Sequence, residues 1–397
     1  MKDIRSKNLC ILNGSSIYVN DDELYCHASF GKLINELSQH FNEVRVCVHE
    51  SLVKQREHDL LLSSNVKFTK LPTGGGAISG LLNGKKCSLV YEKIIKNSDF
   101  VFVRGVLIPA VSELYYFCSL YKKPIIHWLP GNPMALISSH RRSGFFKDLL
   151  SRYFIKGWEK KLHKGHNTCL PNSYYLCNGT EIAERHPSIN SETIISTTLS
   201  ESDFYHRVDT CSNDTVNLTV VCYIRPEKGL EYLIQAIPLI RNEKNIRLNI
   251  YGSRDRYEDY QDKLNQLVLE LGLENVVMFH GHCLPENIPK SLRKSDIFIL
   301  PTLSEGTPRV VIEAKANCVP VIATLVGGIP DSIKSGYDGL LIPPKDPQAI
   351  ADSVDRILMD NELRKQLINN AFNSTLQLTV DNFAKNILTK FNEIDLN

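Results

Sequence analysis

Two glutamates separated by seven residues, Glu305 and Glu313, stand in the stretch ILPTLSEGTPRVVIEAKANCVPVIATLVGGIPDSI, residues 299–333. A buried strand is expected over Ile297–Leu300, followed by a loop that carries Glu305 and Gly306. Thr307 can then cap a helix, and Pro308 suits the first helical position, where a missing N–H loses nothing. Free backbone N–H groups and the helix dipole make such a start a phosphate site, to which Arg309 adds charge. Glu313 lies about five residues further in, roughly 7.5 Å along the axis, so a diphosphate's length separates the two acids. Neither carboxylate suits a phosphate, and each is better used accepting hydrogen bonds from hydroxyls. A nucleotide sugar, with sugar hydroxyls at both ends of a diphosphate, satisfies both. The plainer alternative is a pair of solvated surface glutamates.

A second segment, VVCYIRPEKGLEYLIQA at residues 220–236, reads as strand, short turn and helix, with Lys228 and Gly229 at the turn. An ammonium placed there fits stabilisation of a diphosphate leaving group. Alone, Lys228 would read as a solvated turn lysine, and only the glutamate pair changes that reading. Arg225 lies two residues after Tyr223 and projects to the same side if the backbone stays extended.

These residues need a frame. At 397 residues the chain exceeds the roughly 50 to 250 of one domain. Short β-branched runs alternate with longer helical patterns, the mark of βαβ units and a parallel sheet. Strands are expected at Asn8–Leu12, Glu43–Val48, Val66–Leu71, Asp99–Val103, Pro124–Trp128 and Thr193–Thr197, with a helix over Glu23–Phe41. The polar run at 203–217 marks a boundary. Beyond it, strands are expected at Leu218–Ile224, Ile246–Tyr251, Val276–Phe279, Asp296–Leu300, Pro320–Ala323 and Leu340–Ile342. Helices fall at Gly229–Ile240, Tyr257–Leu271, Pro308–Asn317 and Pro347–Met359, and a terminal one spans Val380–Ile394. The expected organisation is an α/β chain of two doubly wound domains, 1–205 and 215–379, whose strand carboxyl ends border a ligand cleft.

The 299–333 stretch, with GGIPD and DGLLIPPKDPQAIA, resembles the nucleotide-sugar signature of retaining glycosyltransferases of family 4. The likeness covers the second domain and weakens in the first. It implies a GT-B fold, two Rossmann-like domains facing a central cleft. The second would bind the donor, the first would lie on the acceptor side, and the terminal helix, 380–397, would pack back on the first. It implies that Glu305 contacts the transferred sugar and Glu313 the ribose. The family's usual Arg, five residues before the Lys, is Tyr223 here, and Arg225 is expected to replace it. Gly252 and His282 enter as weaker contacts near phosphates and base. In PIIHWLPGNP, residues 124–133, His127 is the candidate to face the donor sugar, with a satisfied core histidine as the alternative. Gly14, in the Asn13-Gly14-Ser15 turn, would approach the sugar phosphate, although the family's fuller Gly-Gly loop is missing. Glu305, Lys228, Arg225 and His127 form the expected catalytic set. Glu313, Gly306, Thr307, Pro308, Arg309, Gly252, His282 and Gly14 form the donor-binding set.

Composition narrows the classes. Lys plus Arg total 46 against 44 Asp plus Glu, which leaves no bulk field to hold a nucleic acid. Eleven cysteines without a Cys-x-x-Cys pair point to a reducing, cytoplasmic setting. Neither a signal-peptide core nor a spanning segment is apparent. No Asp-x-Asp pair occurs, so neither a metal nor a cofactor is expected beside a UDP- or GDP-sugar donor. The glycine-rich run 73–86 lacks Walker spacing and reads as an acceptor-side loop. Residues 140–166 interleave Lys and Arg with aromatics, which suits peripheral contact with an anionic membrane and a lipid-linked or other glycan acceptor; an amphipathic core helix is the alternative. The expected activity is retaining transfer of a sugar to a hydroxyl of a lipid-linked or surface polysaccharide precursor, without a side-chain base. A nucleotide-sugar epimerase, a phosphorylase and a non-catalytic nucleotide-sugar binder are the alternatives. A nicotinamide oxidoreductase is set aside because no GxGxxG follows the first strand.

Overall fold

The computed structural model describes residues 4–12, 14–50, 59–72, 83–105, 108–131, 145–254 and 258–395. Asn13, most of the glycine-rich run and the start of the basic aromatic segment lie outside them. The chain divides into two compact units, one running to Thr198 and resuming at Val380, the other spanning Leu199–Thr379.

The first unit contains a parallel sheet of β1 (Asn8–Leu12), β4 (Glu43–Val48), β6 (Val66–Lys70), β7 (Phe100–Arg104), β8 (Ile125–Leu129), β9 (Ser173–Asn178) and β10 (Ser191–Ile194), in the order β10-β9-β8-β7-β1-β4-β6. Helices α1 (Ala28–Ser38), α2 (Gly84–Lys96), α3 (Val111–Leu120), α4 (Phe145–Thr168) and α5 (Thr180–Arg185) connect the strands. The sequence expectation of a helix from Glu23 is corrected. Asp21 and Asp22 both take positive φ, 46° and 67°, and turn β2 (Ile17–Asn20) back onto β3 (Glu23–His27) as a hairpin. The strand β5 (Asp59–Leu61) extends this small antiparallel sheet, and α1 starts only at Ala28.

The second unit has six parallel strands: β11 (Thr215–Val221), β12 (Asn245–Tyr251), β13 (Val277–Gly281), β14 (Ile297–Leu300), β15 (Val321–Thr324) and β16 (Leu340–Ile342), in the order β13-β12-β11-β14-β15-β16. The strand order reverses between β11 and β14, the switch point at which doubly wound sheets bind ligands. Helices α6 (Leu230–Ala236), α7 (Glu258–Glu270), α8 (Ile288–Arg293), α9 (Arg309–Ala316), α10 (Ile329–Ser332), α11 (Pro347–Met359) and α12 (Asn361–Thr375) complete it. Asp346 and Asp360 cap α11 and α12 by accepting from the N–H of Ala349 and Leu363. The polar run expected as a linker belongs to this unit. The Arg207 guanidinium donates to the carbonyls of Arg293 and Ser295, and the Cys211 N–H donates to Asp296.

The last helix, α13 (Val380–Asp395), buries Phe383, Ala384, Ile387 and Phe391 in the core of the first unit. Phe391 meets Phe100 at 4.8 Å and Phe383 meets Trp128 at 5.2 Å between ring centroids. The i, i+4, i+8 spacing of Phe383, Ile387 and Phe391 places them on one helix face. Among the described residues no helix is long and apolar enough to cross a membrane.

Candidate functional site

At the switch point of the second unit, β11 runs out through Cys222 and Tyr223 into an extended Arg225 and a tight turn, Pro226–Lys228. Gly229 ends that turn at φ 62° and starts α6. A Cβ at Gly229 would stand 2.3 Å from the Pro301 carbonyl oxygen, so only glycine allows this turn to press against the loop after β14. The Leu303 N–H donates to the Glu227 carbonyl at 2.7 Å, and the Thr302 hydroxyl lies 2.9 Å from the same oxygen. The two loops are therefore joined by backbone contacts, and across them Lys228 Nζ reaches Glu305 Oε2 at 2.5 Å. Both side chains are mostly buried, at 16% and 21% exposure. The sequence placed both residues in the site without pairing them.

A third loop supports Glu305 from the other side. Gly327, at φ 52°, approaches the Glu305 carbonyl so closely that a Cβ would lie 1.8 Å from its oxygen, and the Gly328 N–H donates to that oxygen at 3.3 Å. These two glycines of GGIPD were read only as part of a resemblance, because a close approach between distant loops leaves no local signature. They act as a template for the Glu305 loop. Gly252 has the same character: a Cβ there would stand 1.7 Å from the Cys222 carbonyl oxygen, and its N–H donates to Gly281. His282 follows Gly281 and is exposed.

The helix start expected at Pro308 falls one residue later. Pro308 is the N-cap, with φ −78° and ψ 114°, and α9 begins at Arg309. Extended geometry suits a residue that has no N–H to give. Pro308 itself has no side chain able to cap this start, Gly306 and Arg309 are exposed beside it, and Thr307 is half-buried. Glu313 is half-buried on the second turn. Two residues on, Lys315 is buried and holds Asp338 at 2.8 Å and the Ser332 carbonyl at 2.9 Å, which pins α9 to the loop before β16. Arg225 stacks its guanidinium over the Tyr223 ring at 4.7 Å, with Glu227 4.0 Å away. Tyr223 is 53% exposed and forms the platform on which Arg225 rests.

The first-unit candidates fare differently. His127 is wholly buried; its Nε2 meets the Gly105 carbonyl at 2.5 Å and its Nδ1 meets the Tyr115 hydroxyl at 2.7 Å. A carbonyl only accepts, so Nε2 carries the proton and Nδ1 accepts from Tyr115. Burial lowers the imidazole's pKa to about 3 and keeps it neutral. The expectation that His127 faces a sugar is corrected: both ring nitrogens are taken by the core. Gly14 sits at φ 147°, where a Cβ would stand 2.5 Å from the Phe30 ring, so packing on α1 already accounts for this glycine. On α4, Ile155, Trp158 and Leu162 are buried while Tyr153 and Phe154 are 74% and 48% exposed. That helix therefore has both the core face and the exposed aromatic face weighed from its sequence.

Residues 207–374 match the family profile described as Glycosyl transferases group 1. An uncharacterized glycosyltransferase of Methanocaldococcus jannaschii is 36% identical over 160 residues, 40% of this chain and 40% of that protein. A D-inositol 3-phosphate glycosyltransferase of Corynebacterium glutamicum is 32% identical over 144 residues, 36% of this chain and 34% of that one. The chain thus spans less than half the length of these curated relatives. The crystal structure of Anabaena HepE in complex with UDP aligns over 98% of this chain and 100% of that one, with a TM-score of 0.68 at 15% identity. That likeness fixes the fold as GT-B. Residues 207–374, which hold the switch-point site, are thus similar to the glycosyl transferases group 1 family.

Proposed function

We propose that this chain is a retaining glycosyltransferase that moves a sugar from a UDP- or GDP-sugar to a hydroxyl of a lipid-linked or surface polysaccharide precursor. The observation that carries this reading is the convergence of Lys228, Glu305 and the start of α9 on one switch point. In this reading the α9 amides and Arg309 receive one phosphate, and Lys228 and Arg225 receive the other. Glu313 accepts from the ribose hydroxyls. As the donor enters, its phosphate competes with Glu305 for Lys228, and the released carboxylate turns to the sugar hydroxyls. The charge that develops on the departing diphosphate is stabilised by groups already in place.

Two similar proteins support the donor and the chemistry: HepE was crystallised in complex with UDP, and the Corynebacterium relative is a D-inositol 3-phosphate glycosyltransferase. For the acceptor, the support is α4, where exposed Tyr153 and Phe154 stand among Arg152, Lys156 and Lys160. Each basic residue near an anionic surface contributes about 1 kcal/mol. The reading therefore places the protein in the cytoplasm, peripheral to the membrane, and requires neither a metal nor a nucleic acid.

The test is a panel of radiolabelled nucleotide sugars incubated with purified protein, with and without lipid-phosphate acceptors and with a chelator. Slow donor hydrolysis, acceptor-dependent transfer with the donor's anomeric configuration kept, and indifference to the chelator are expected. An inverted product contradicts retention, and conversion of the donor's own sugar without acceptor indicates an epimerase. A non-catalytic binder, the reading that Tyr223 favours, would hold donor without either outcome.

A further inference from the structure

We propose that the outer face of the α2–α3–α4 layer, formed jointly by all three helices, is a docking surface for an anionic lipid bilayer. The helices pack side by side, with α3 in the middle, and cover one face of the first unit's sheet. Tyr91 and Ile95 on α2, Leu114 and Cys118 on α3, and Trp158 and Leu162 on α4 are buried beneath them. At 3.6 residues per turn the opposite side of α2 carries Leu89, Lys93 and Lys96, that of α3 carries Tyr116 and Leu120, and that of α4 carries Tyr153 and Lys156. All seven are exposed.

Charge is concentrated on this layer. Residues 84–96, 111–123 and 152–168 hold eleven Lys or Arg against three Glu, a net +8. The chain as a whole is +2, so everything outside these segments sums to −6. Two of the three acids are engaged: Glu92 accepts from the Tyr121 hydroxyl at 3.1 Å, and Glu159 from Arg185 at 2.6 Å. Glu113 is the single exposed acid among those residues. A nearly neutral molecule with its positive charge on one side is drawn by that side to a negative surface, over about a Debye length, ~8–10 Å in physiological salt.

Charge alone would suit any polyanion, and the apolar side chains select a bilayer. Leu89, Tyr116 and Leu120 are 68%, 58% and 53% exposed. With Tyr153 and Phe154 they make five of the eight large apolar or aromatic residues exposed in the described part of the first unit. Single exposed apolar residues are ordinary, whereas a cluster on one face marks an interaction surface. Leucine and tyrosine can enter the headgroup boundary while the lysine ammonium groups beside them stay at the level of the lipid phosphates. The proposed function uses α4 for membrane contact; here α2 and α3 complete the face. That this membrane carries the acceptor rests on the glycosyl-transfer reading; the affinity for anionic lipid does not.

The experiment sediments the full chain, without any donor, with sucrose-loaded vesicles of phosphatidylcholine that contain or lack phosphatidylglycerol. Sedimentation is expected only with phosphatidylglycerol and should fall as salt is raised. Lys93→Glu/Lys96→Glu, both on α2, should weaken the partition at least about tenfold. Leu89→Ser/Tyr116→Ser/Leu120→Ser should weaken it by about tenfold as well. Lys290→Glu/Lys294→Glu in the second unit makes the same change in net charge and should sediment as the parent does. Every substituted residue is exposed, and thermal melting checks that the variants are folded. The proposal is overturned by sedimentation that does not depend on phosphatidylglycerol, or by undiminished sedimentation of either the α2 pair or the apolar triple. An equal loss in the second-unit pair would reduce the effect to bulk charge and overturn it too. Tighter binding of polyuridylate than of vesicles would assign the face to a nucleic acid instead. Donor hydrolysis needs no vesicle, so failure here leaves the transfer reading standing without its membrane.

Discussion

The two units share one architecture, yet they hold their polar chemistry by different means. In the second unit, loop ends from β11, β12, β14 and β15 are pressed backbone to backbone, and Gly229, Gly252 and Gly327 each sit where a Cβ would fall within 2.3 Å of a carbonyl oxygen. The site is a product of chain geometry, and a few side chains complete it. In the first unit, polar residues of similar types are spent on the interior. Tyr115 bonds His127, His166 bonds Ser188, and His163 bonds His186, all within the layer that α3, α4 and α5 form with the sheet. A fold permits a site, but only particular close approaches make one.

The sharpest way to break this contrast is at the charged pair. Lys228→Ala or Glu305→Ala should lower turnover by about a hundred- to a thousand-fold in a donor-transfer assay, as loss of a preorganised charge-stabilising group does elsewhere. Normal turnover in either variant would remove that residue from the site. Next come the glycines. Gly252→Ala and Gly327→Ala should each cost about 1–3 kcal/mol in denaturant unfolding and weaken donor binding with it, because the loops must separate to admit the methyl group. Gly306→Ala, where a Cβ meets nothing within 4 Å, is the matched control and should unfold like the parent.

The interior of the first unit predicts acid lability. Burial lowers the pKa of His127 and His186 to about 3 and of His166 to about 4, so all three are neutral when folded and regain an ordinary pKa near 6.5 when unfolded. Below about pH 6.5 the unfolded chain binds more protons, so stability is lost as pH falls toward 4. The second unit has no buried histidine among its described residues. Hydrogen exchange at pH 5 should therefore accelerate in β8 and β9 before it accelerates in β11 and β12; the reverse order would refute the contrast. The smallest effect expected is at the Arg225 platform. Arg225→Ala should weaken UDP binding by about tenfold, and Tyr223→Phe, which keeps the ring, should change it little. Unchanged binding in Arg225→Ala would leave the position of Tyr223 without a substitute.

Much of the second unit was legible because its determinants are local. β-branched runs gave the strands, the helical pattern from Pro347 gave α11, and the Glu305–Glu313 spacing pointed to a nucleotide sugar. What was hidden involves distant partners. The Lys228–Glu305 contact joins residues 77 apart in sequence, and the template glycines 327 and 328 gain meaning only against Glu305. In the first unit, the Asp21-Asp22 turn was legible in principle, since Asp tolerates positive φ, but the apolar residues of Glu23–His27 also fit a helical period. His127 kept two readings because a strand histidine has the same sequence whether its ring meets a ligand or a carbonyl, and the core reading is the one its hydrogen bonds bear out.

A crystal structure with UDP tests the central claim most directly. The account predicts the diphosphate against the first amides of α9 and within contact of Lys228, with the ribose hydroxyls on Glu313. A nucleotide bound elsewhere, with Lys228 still closed on Glu305 and Glu313 facing solvent, would contradict it.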